Sequence, residues 1–491
     1  MSEVEDHPTL RLCSGWHWYY STKFLIFAQK TTPMFIEQLY TNCLAQAAYY
    51  IESDGEAAII DPIRDIASYL KLANERGATI KYIFETHFHA DFVSGHIDLA
   101  KETGATIIYG PTTKTNFPVH VATDGEILPL GKVNIKVLHT PGHTPESSCF
   151  LLYDEAGKEH AVFTGDTLFV GDVGRPDLLD GTMKSEDLAG MMYDSLHNKL
   201  MPLADDVIHY PGHGPGSACG KNIGKETFST IGTQKLGNYA LQPMSKEEFI
   251  KTITTGISPA PAYFFEDAKI NKNGYEPLTD IISKALKPLS VEQFAEMSKS
   301  GINVVDTRIP DQFELGFVPK AYNFGLNGQY AIWAATLLNI HQAIIIVCEP
   351  GKEEESATRL ARVGFDNIQG YLEGGFDAWK DAGKRIDMVI SIEPEEFAID
   401  YNFDEVNVLD VRKPGEWDNG HLGHATHFSL SDMDKNIETL DKEKTYYIHC
   451  AGGYRSMIAA AWLKAKGIDK VKNIYGGFDK IKDKGLDVVH N

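Results

Sequence analysis

The sequence predicts a multidomain α/β protein, on three observations. Strand and helix patterns alternate from Leu44 onward, four His- or Asp-bearing segments each follow an apolar strand pattern, and two stretches in the C-terminal half repeat one another. The chain has 491 residues and is 43% hydrophobic, enough for about three domains at roughly 150 residues each.

From Leu44 the pattern is a hairpin: "LAQAAYYIES", the turn pair Asp54-Gly55, then "EAAIIDP". "RDIASYLKLANERG" follows as a helix with Ile66, Tyr69, Leu70 and Ala73 on one face and Gly77 as its stop. "TIKYIFET" is then a buried strand. Residues 225–287 join this domain to the repeated C-terminal stretches; they hold a helix start with a capping box at Ser245 and Glu248, and a Pro-rich turn at 258–263. "NVVDTRIPDQFELGFVPKAYNF" (303–324) parallels "NVLDVRKPGEWDNGHLGHATHF" (407–428), and "YLEGGFDAWKDAGKRI" (371–386) parallels "IYGGFDKIKDKGLDV" (474–488). The expected domains are therefore 34–287, 288–387 and 388–491. Residues 1–33 have two readings: an extension ahead of a true initiator at Met34, or an ordered arm carrying Trp16, Trp18, Tyr19, Tyr20 and Phe24.

The balance of 46 basic and 68 acidic residues, a net charge of −22, argues against a nucleic-acid partner and against long-range attraction of anions. Anionic substrates then need local positive charge. No window has the eighteen unbroken apolar residues of a membrane helix, and the acidic start (Glu3, Glu5, Asp6) does not read as a secretory leader. Six scattered cysteines without a C-x-x-C pair fit free thiols in a reducing cytoplasm. Cys13, Cys43 and Cys149 read as packing residues.

The chemistry starts at His87-Phe88-His89-Ala90-Asp91, directly after "YIFET". His143 lies in "TPGHTPES", Asp166 in "FTGDTLF" and His213 in "YPGHGPGS". A lone histidine is more often structural than a ligand. Four such segments at strand ends, each bordered by Gly, Thr or Pro, point to a metal site.

In this order the motifs T-H-x-H-x-D, P-G-H-T, T-G-D and P-G-H resemble the metallo-β-lactamase superfamily in its glyoxalase II-like branch, over about 34–240. The resemblance implies an αββα sandwich with metal at the sheet edge and His87, His143 and Asp166 as ligands. His89, Asp91 and His213 would then orient ligands or a water. One departure matters: the superfamily has a histidine after the aspartate, and here that position is Phe92. Phenylalanine cannot coordinate, so one metal is favoured over two. Two histidines and a carboxylate suit non-heme Fe(II), with catalytic Zn as the competitor.

"THFHADFVSGH" (86–96) and "GDVGRPDLLDG" (171–181) are similar to persulfide dioxygenases, which oxidise a thiol persulfide with O2 to sulfite and free thiol. Arg175 matches an arginine near their persulfide pocket, with Asp177 as its expected neighbour; the plain alternative is a surface salt bridge. Cys219, on the Gly-rich loop after His213, reads either as a sulfur relay or as a small buried residue.

In the last domain the strand pattern "TYYIH" leads into Cys450-Ala451-Gly452-Gly453-Tyr454-Arg455-Ser456 and then a helix. A cysteine at that junction meets inward N–H groups and a helix dipole, which favour thiolate. The glycines let the loop curl into an anion cradle, to which Arg455 adds positive charge. With "LDVR" and "GHLGHA" upstream, the loop resembles a rhodanese active site, which passes sulfane sulfur through a cysteine persulfide. The first repeat departs from this: after Cys348 it reads Glu349-Pro-Gly-Lys-Glu-Glu-Glu355, without Arg-Ser, so it is read as a degenerate rhodanese with a structural or docking role.

Over 34–491 the order resembles bacterial sulfide-detoxification fusions of dioxygenase, degenerate rhodanese and rhodanese. The resemblance implies a cytoplasmic homo-oligomer acting on a small thiol persulfide, O2, sulfite and thiosulfate, with no nucleic acid or membrane involved. Two alternatives stand: a zinc thioesterase of the glyoxalase II kind, and a rhodanese pair used only for recognition. The carrier thiol is left open among glutathione, coenzyme A and bacillithiol.

Overall fold

The computed structural model describes residues 34–178, 183–403 and 405–490. Both readings of residues 1–33, the packing reading of Cys13 and the end of the 171–181 motif lie outside the described residues.

The Asp54-Gly55 pair turns the chain between strands Gln46–Ser53 and Glu56–Ile60, both residues having positive φ (51° and 83°). That is the backbone a tight two-residue hairpin requires. This hairpin belongs to a six-stranded sheet ordered Phe35–Thr41, Gln46–Ser53, Glu56–Ile60, Thr79–Phe84, Thr106–Tyr109, His120–Val121. A second six-stranded sheet holds Ile127–Leu130, Val133–His139, Ser148–Tyr153, Glu159–Gly165, Ile208–Pro211 and Ser229–Thr230 in sequence order. Strand alternation explains the layering. Ala47, Tyr49 and Ile51 face the second sheet and pack with Val137, Phe150 and Phe163. Their neighbours Ala48 and Tyr50 face the other way, in one cluster with Tyr69 of helix Ala67–Arg76 and Leu99 of helix His96–Thr103. On the outer face of the second sheet, Cys149, Leu151 and Val162 pack with Ala189 and Met192 of helix Ser185–Ser195 and Phe249 of helix Lys246–Thr254. The result is an αββα sandwich. The expected capping box is formed: Ser245 accepts from the Glu248 backbone while the Glu248 carboxylate accepts from the Ser245 N–H.

Each C-terminal repeat is a five-stranded parallel sheet. The first is ordered Pro288–Leu289, Ile368–Leu372, Ile344–Val347, Asn303–Asp306, Tyr322–Asn323. The second is ordered Ile390–Ile392, Val471–Ile474, Tyr446–His449, Asn407–Asp410, Ala425–His427. The duplication reaches individual atoms. Arg308 Nη2 donates to Asp306 Oδ2 (2.6 Å) and the Gly316 carbonyl (2.9 Å); Arg412 Nη2 donates to Asp410 Oδ2 (2.6 Å) and the Gly420 carbonyl (2.8 Å). Among the described residues no helix is long and apolar enough to cross a membrane.

The first repeat docks on the sandwich. Fully buried Arg64 donates to Asp366 (2.5 Å) and to the carbonyls of Ala361 (2.7 Å) and Glu276 (3.2 Å). Arg362 pairs with Asp65 (2.7 and 2.9 Å), and its carbonyl accepts the Val93 N–H (2.7 Å).

Candidate functional site

His87, His143, Asp166 and His213 all sit just beyond strands, on one edge of the sandwich. His87, His143 and Asp166 are buried and bring one ligand atom each within 4.8 Å of the others. The hydrogen bonds fix which atoms are free. His143 Nδ1–H donates to the Arg175 carbonyl (2.8 Å), leaving a bare Nε2. Thr86 Oγ1–H donates to Asp61 Oδ2 (2.8 Å), so the same oxygen accepts from His87 Nδ1–H (2.9 Å) and His87 Nε2 is bare too. Asp166 Oδ1 accepts from His213 Nδ1–H (2.8 Å). Asp166 Oδ2, 3.8 Å from His87 Nε2 and 3.5 Å from His143 Nε2, has no hydrogen-bond partner among the described residues, and neither does His143 Nε2. Two bare nitrogens and a bare carboxylate oxygen converging in a buried space fit a divalent cation, whose ligands must be deprotonated.

The electrostatics agree. Burial pushes the Asp166 carboxyl up, but His213, His87 and His143 outweigh burial and hold it well below the usual carboxylate range. Burial pulls His87 and His143 down, so both rings are neutral. His213 bridges Asp166 and Asp91 (Nε2 to Oδ2, 2.8 Å); the two carboxylates overcome burial and raise it well above the ordinary value. His213 Nδ1 is thus hydrogen-bonded to Asp166, while its Nε2 lies beside Asp91 Oδ2 in a buried group with Cys219 that offers ligand atoms of its own. The Phe92 ring, fully buried, lies 4.3 Å from the His89 ring.

Among the expected neighbours, Asp91 and His213 join Asp166 in one chain of contacts, whereas His89 turns toward Asp61 (3.1 Å) and Glu85 (3.5 Å). Arg175 is buried, and its guanidinium grips Asp177 (2.7 Å twice) and the carbonyls of Ser258 (2.6 Å) and Ala218 (3.2 Å). It reaches the triad through its backbone carbonyl on His143. Cys219 is buried in a group with Asp91 and His213, and burial with the carboxylates of Asp91 and Asp166 pushes its thiol well up. Cys149 is a buried core thiol.

Two contributors had weak sequence signals. Asp61 ends the "AIID" strand in a left-handed conformation (φ 49°) and accepts the Thr86 N–H (2.7 Å) as well as its hydroxyl. Asn271, in helix Ala262–Asn273, donates to the carbonyls of His89 (2.8 Å) and Phe92 (2.7 Å) and accepts the Ser94 N–H (2.8 Å), tying down the whole ligand loop. A terminal Asp after an apolar strand was readable. Nothing local marks an asparagine 182 residues from its partner.

At the second centre, Cys450 follows strand Tyr446–His449 and helix Tyr454–Ala465 begins just beyond it. The Gly453 N–H donates to Cys450 Sγ (3.1 Å), at φ +106° where a side chain would be strained. Ser456 Oγ lies 3.7 Å from the sulfur and donates to the Gly453 carbonyl (3.0 Å). Ala451 is pinned by its carbonyl, which accepts the Asp479 N–H (3.1 Å), and Gly452 has open space around it. Two members depart from the expected cradle. Arg455 is not a free cation: Glu416 takes both of its amino groups (2.6 and 2.7 Å). The Tyr454 hydroxyl leaves the loop and donates to the Gly325 carbonyl of the first repeat (2.8 Å). In that repeat, burial first and then Glu353 and Asp306 push the Cys348 thiol up to about 12, so it stays protonated.

A buried His–His–Asp set at the edge of an αββα sandwich, followed by two parallel rhodanese-like sheets, defines a metallo-β-lactamase-fold protein with appended rhodanese domains. The metallo-beta-lactamase superfamily model matches residues 41–213, and the rhodanese-like domain model matches 290–382 and 393–484. A solved metallo-beta-lactamase from Staphylococcus aureus is 34% identical with a TM-score of 0.61, covering 69% of this chain and 98% of its own. The chain belongs to that superfamily. A probable hydroxyacylglutathione hydrolase of Schizosaccharomyces pombe is 40% identical over 166 residues, 33% of this chain and 60% of the relative. A mitochondrial persulfide dioxygenase of Homo sapiens is 28% identical over 233 residues, 47% of this chain and 84% of the relative. The chain spans about six tenths of the length of the two fission-yeast hydrolases it matches (60% and 58%).

Proposed function

We propose that the chain is a persulfide dioxygenase holding one Fe(II) on His87, His143 and Asp166, coupled to sulfur transfer at Cys450. The observation that carries the reading is a bare two-His, one-carboxylate set beside the fully buried ring of Phe92, a residue that cannot coordinate and that stands directly after Asp91. Such a set leaves coordination positions open for dioxygen and a sulfur donor, the chemistry a ferrous ion supplies when bound. The chain's own residues do the rest. Thr86 and the Arg175 carbonyl lock the tautomers of His87 and His143, and His213 holds Asp166 ionised. A persulfide R-S-SH, O2 and water then give R-SH and sulfite.

At the second centre, a sulfane sulfur on Cys450 Sγ is attacked by sulfite; the S–S bond to the cysteine breaks, thiosulfate leaves, and the Gly453 N–H receives the thiolate. The reverse flow feeds persulfide to the metal centre. We place the protein in the cytoplasm as a homo-oligomer, with 34–287, 288–387 and 388–491 as its units.

Anaerobic purification, iron and zinc analysis, and O2 uptake with glutathione, coenzyme A and bacillithiol persulfides test this. Iron near one per triad with persulfide-dependent O2 uptake is expected, and His143→Ala should lose both. The 40% identity to a hydroxyacylglutathione hydrolase favours a second reading, zinc-dependent thioester hydrolysis. Zinc content with thioesterase activity and no O2 uptake would establish it instead.

A further inference from the structure

Behind the triad lies a second group of ligand-type side chains that the proposed chemistry does not use. Asp61, Glu85 and His89 are buried, and each brings a ligand atom within 4.8 Å of the others. His89 Nε2 stands 3.1 Å from Asp61 Oδ1 and 3.5 Å from Glu85 Oε2. A tetrahedral ion with bonds of about 2.0–2.2 Å spaces its ligands about 3.3–3.6 Å apart, close to the spacing found here. Despite that closeness, His89 Nε2 and Glu85 Oε2 have no hydrogen-bond partner among the described residues.

Charge points the same way. Two carboxylates are buried side by side, and among the described residues neither is ion-paired to a lysine or arginine. A divalent cation with a neutral imidazole would hold both carboxylates in the ionised form. Neighbouring donors hold both carboxylates in place: Asp61 Oδ1, the oxygen beside His89, accepts the Thr86 N–H (2.7 Å), Asp61 Oδ2 accepts the Thr86 hydroxyl (2.8 Å), and Glu85 Oε1 accepts from the Ser94 hydroxyl.

We propose that Asp61, Glu85 and His89 form a second, structural site for a divalent transition-metal ion, separate from His87, His143 and Asp166. A nitrogen with two carboxylates suits zinc or ferrous ion better than magnesium or calcium, which take oxygen ligands. The site would tie the end of strand Glu56–Ile60 to the loop that presents His87.

The test is anomalous diffraction at the iron and zinc edges on crystals of the full chain as purified, with metal analysis of variants. A peak enclosed by Asp61, Glu85 and His89, and two ions per chain, are expected. Glu85→Gln should fall to one ion, retained at the triad; His143→Ala should fall to one ion, retained at Asp61, Glu85 and His89. A triad peak alone, with one ion per chain, overturns the proposal and leaves a proton shared between His89 and the carboxylates. Loss of the triad peak with the inner peak retained would count against the dioxygenase reading only. The wild-type map decides the matter should either variant fail to fold.

Discussion

Arg64→Ala should loosen the first repeat from the sandwich, by an amount the contacts set. The guanidinium is fully buried and makes four bonds: two to Asp366 (2.5 and 3.1 Å) and one each to the carbonyls of Ala361 (2.7 Å) and Glu276 (3.2 Å). Breaking a buried pair by removing one partner costs about 3–5 kcal/mol, and each carbonyl left dry costs about 1–3 kcal/mol. Asp366 keeps 34% side-chain exposure, so water can re-solvate it, which pulls the total to the lower end, about 3–4 kcal/mol. Urea unfolding of the full chain should show the loss in the transition that separates sandwich and repeat. Protease sensitivity should rise near 276 and 361–366. Because the Arg362 carbonyl, next to Ala361, holds the Val93 N–H, exchange protection of the 89–94 loop should fall too. A loss under about 1 kcal/mol, or an unchanged 89–94 loop, would refute the view that this interface braces the ligand loop.

Cys450→Ser should abolish thiosulfate formation while leaving O2 uptake intact, measured side by side; retained thiosulfate formation would favour a recognition role for the rhodanese pair. Gly328→Ala places a Cβ 2.4 Å from the Tyr454 ring, whose hydroxyl is anchored, so overpacking of about 1–3 kcal/mol should raise hydrogen exchange in the Cys450 loop. His209 is buried, its Nε2 shared by Thr164 Oγ1 (2.9 Å) and the Leu168 carbonyl (3.0 Å), and burial pulls it down to about 4. The unfolded chain takes up a proton near pH 6.5 that the folded chain refuses until about pH 4. Stability should therefore fall as pH drops through that window, by roughly 3 kcal/mol, and level off below it. Urea midpoints against pH should show this slope, and His209→Gln should flatten it.

The parts that were legible in the sequence are the ones whose signal is local. The turn at Asp54-Gly55, the stop at Gly77 (φ 69°) and the capping box at Ser245 are written within a few residues, and each forms. The grouping of His87, His143 and Asp166 was readable because each follows a strand whose end the fold brings to one edge. What escaped depends on distant partners. Arg455 looked like free charge because Glu416, 39 residues upstream, gives no sign of taking it. Tyr454 looked like part of the cradle until Gly325, 129 residues away, took its hydroxyl. His89 lies two residues from His87 on one motif yet points to another group, since the paths of Asp61 and Glu85 set where its ring can rest.

The bond from Tyr454 to Gly325 gives the first repeat a part in the second. Arg359 on its helix Glu353–Ala361 grips the carbonyls of Leu326 (2.7 Å) and Gly328 (3.0 Å), stiffening the ledge on which the tyrosine rests. The terminal hundred residues are thus not a portable cassette. Excised, they would bare the Tyr454 ring beside Cys450 and lose the carbonyl that anchors its hydroxyl. One copy of the repeat thus buttresses the other.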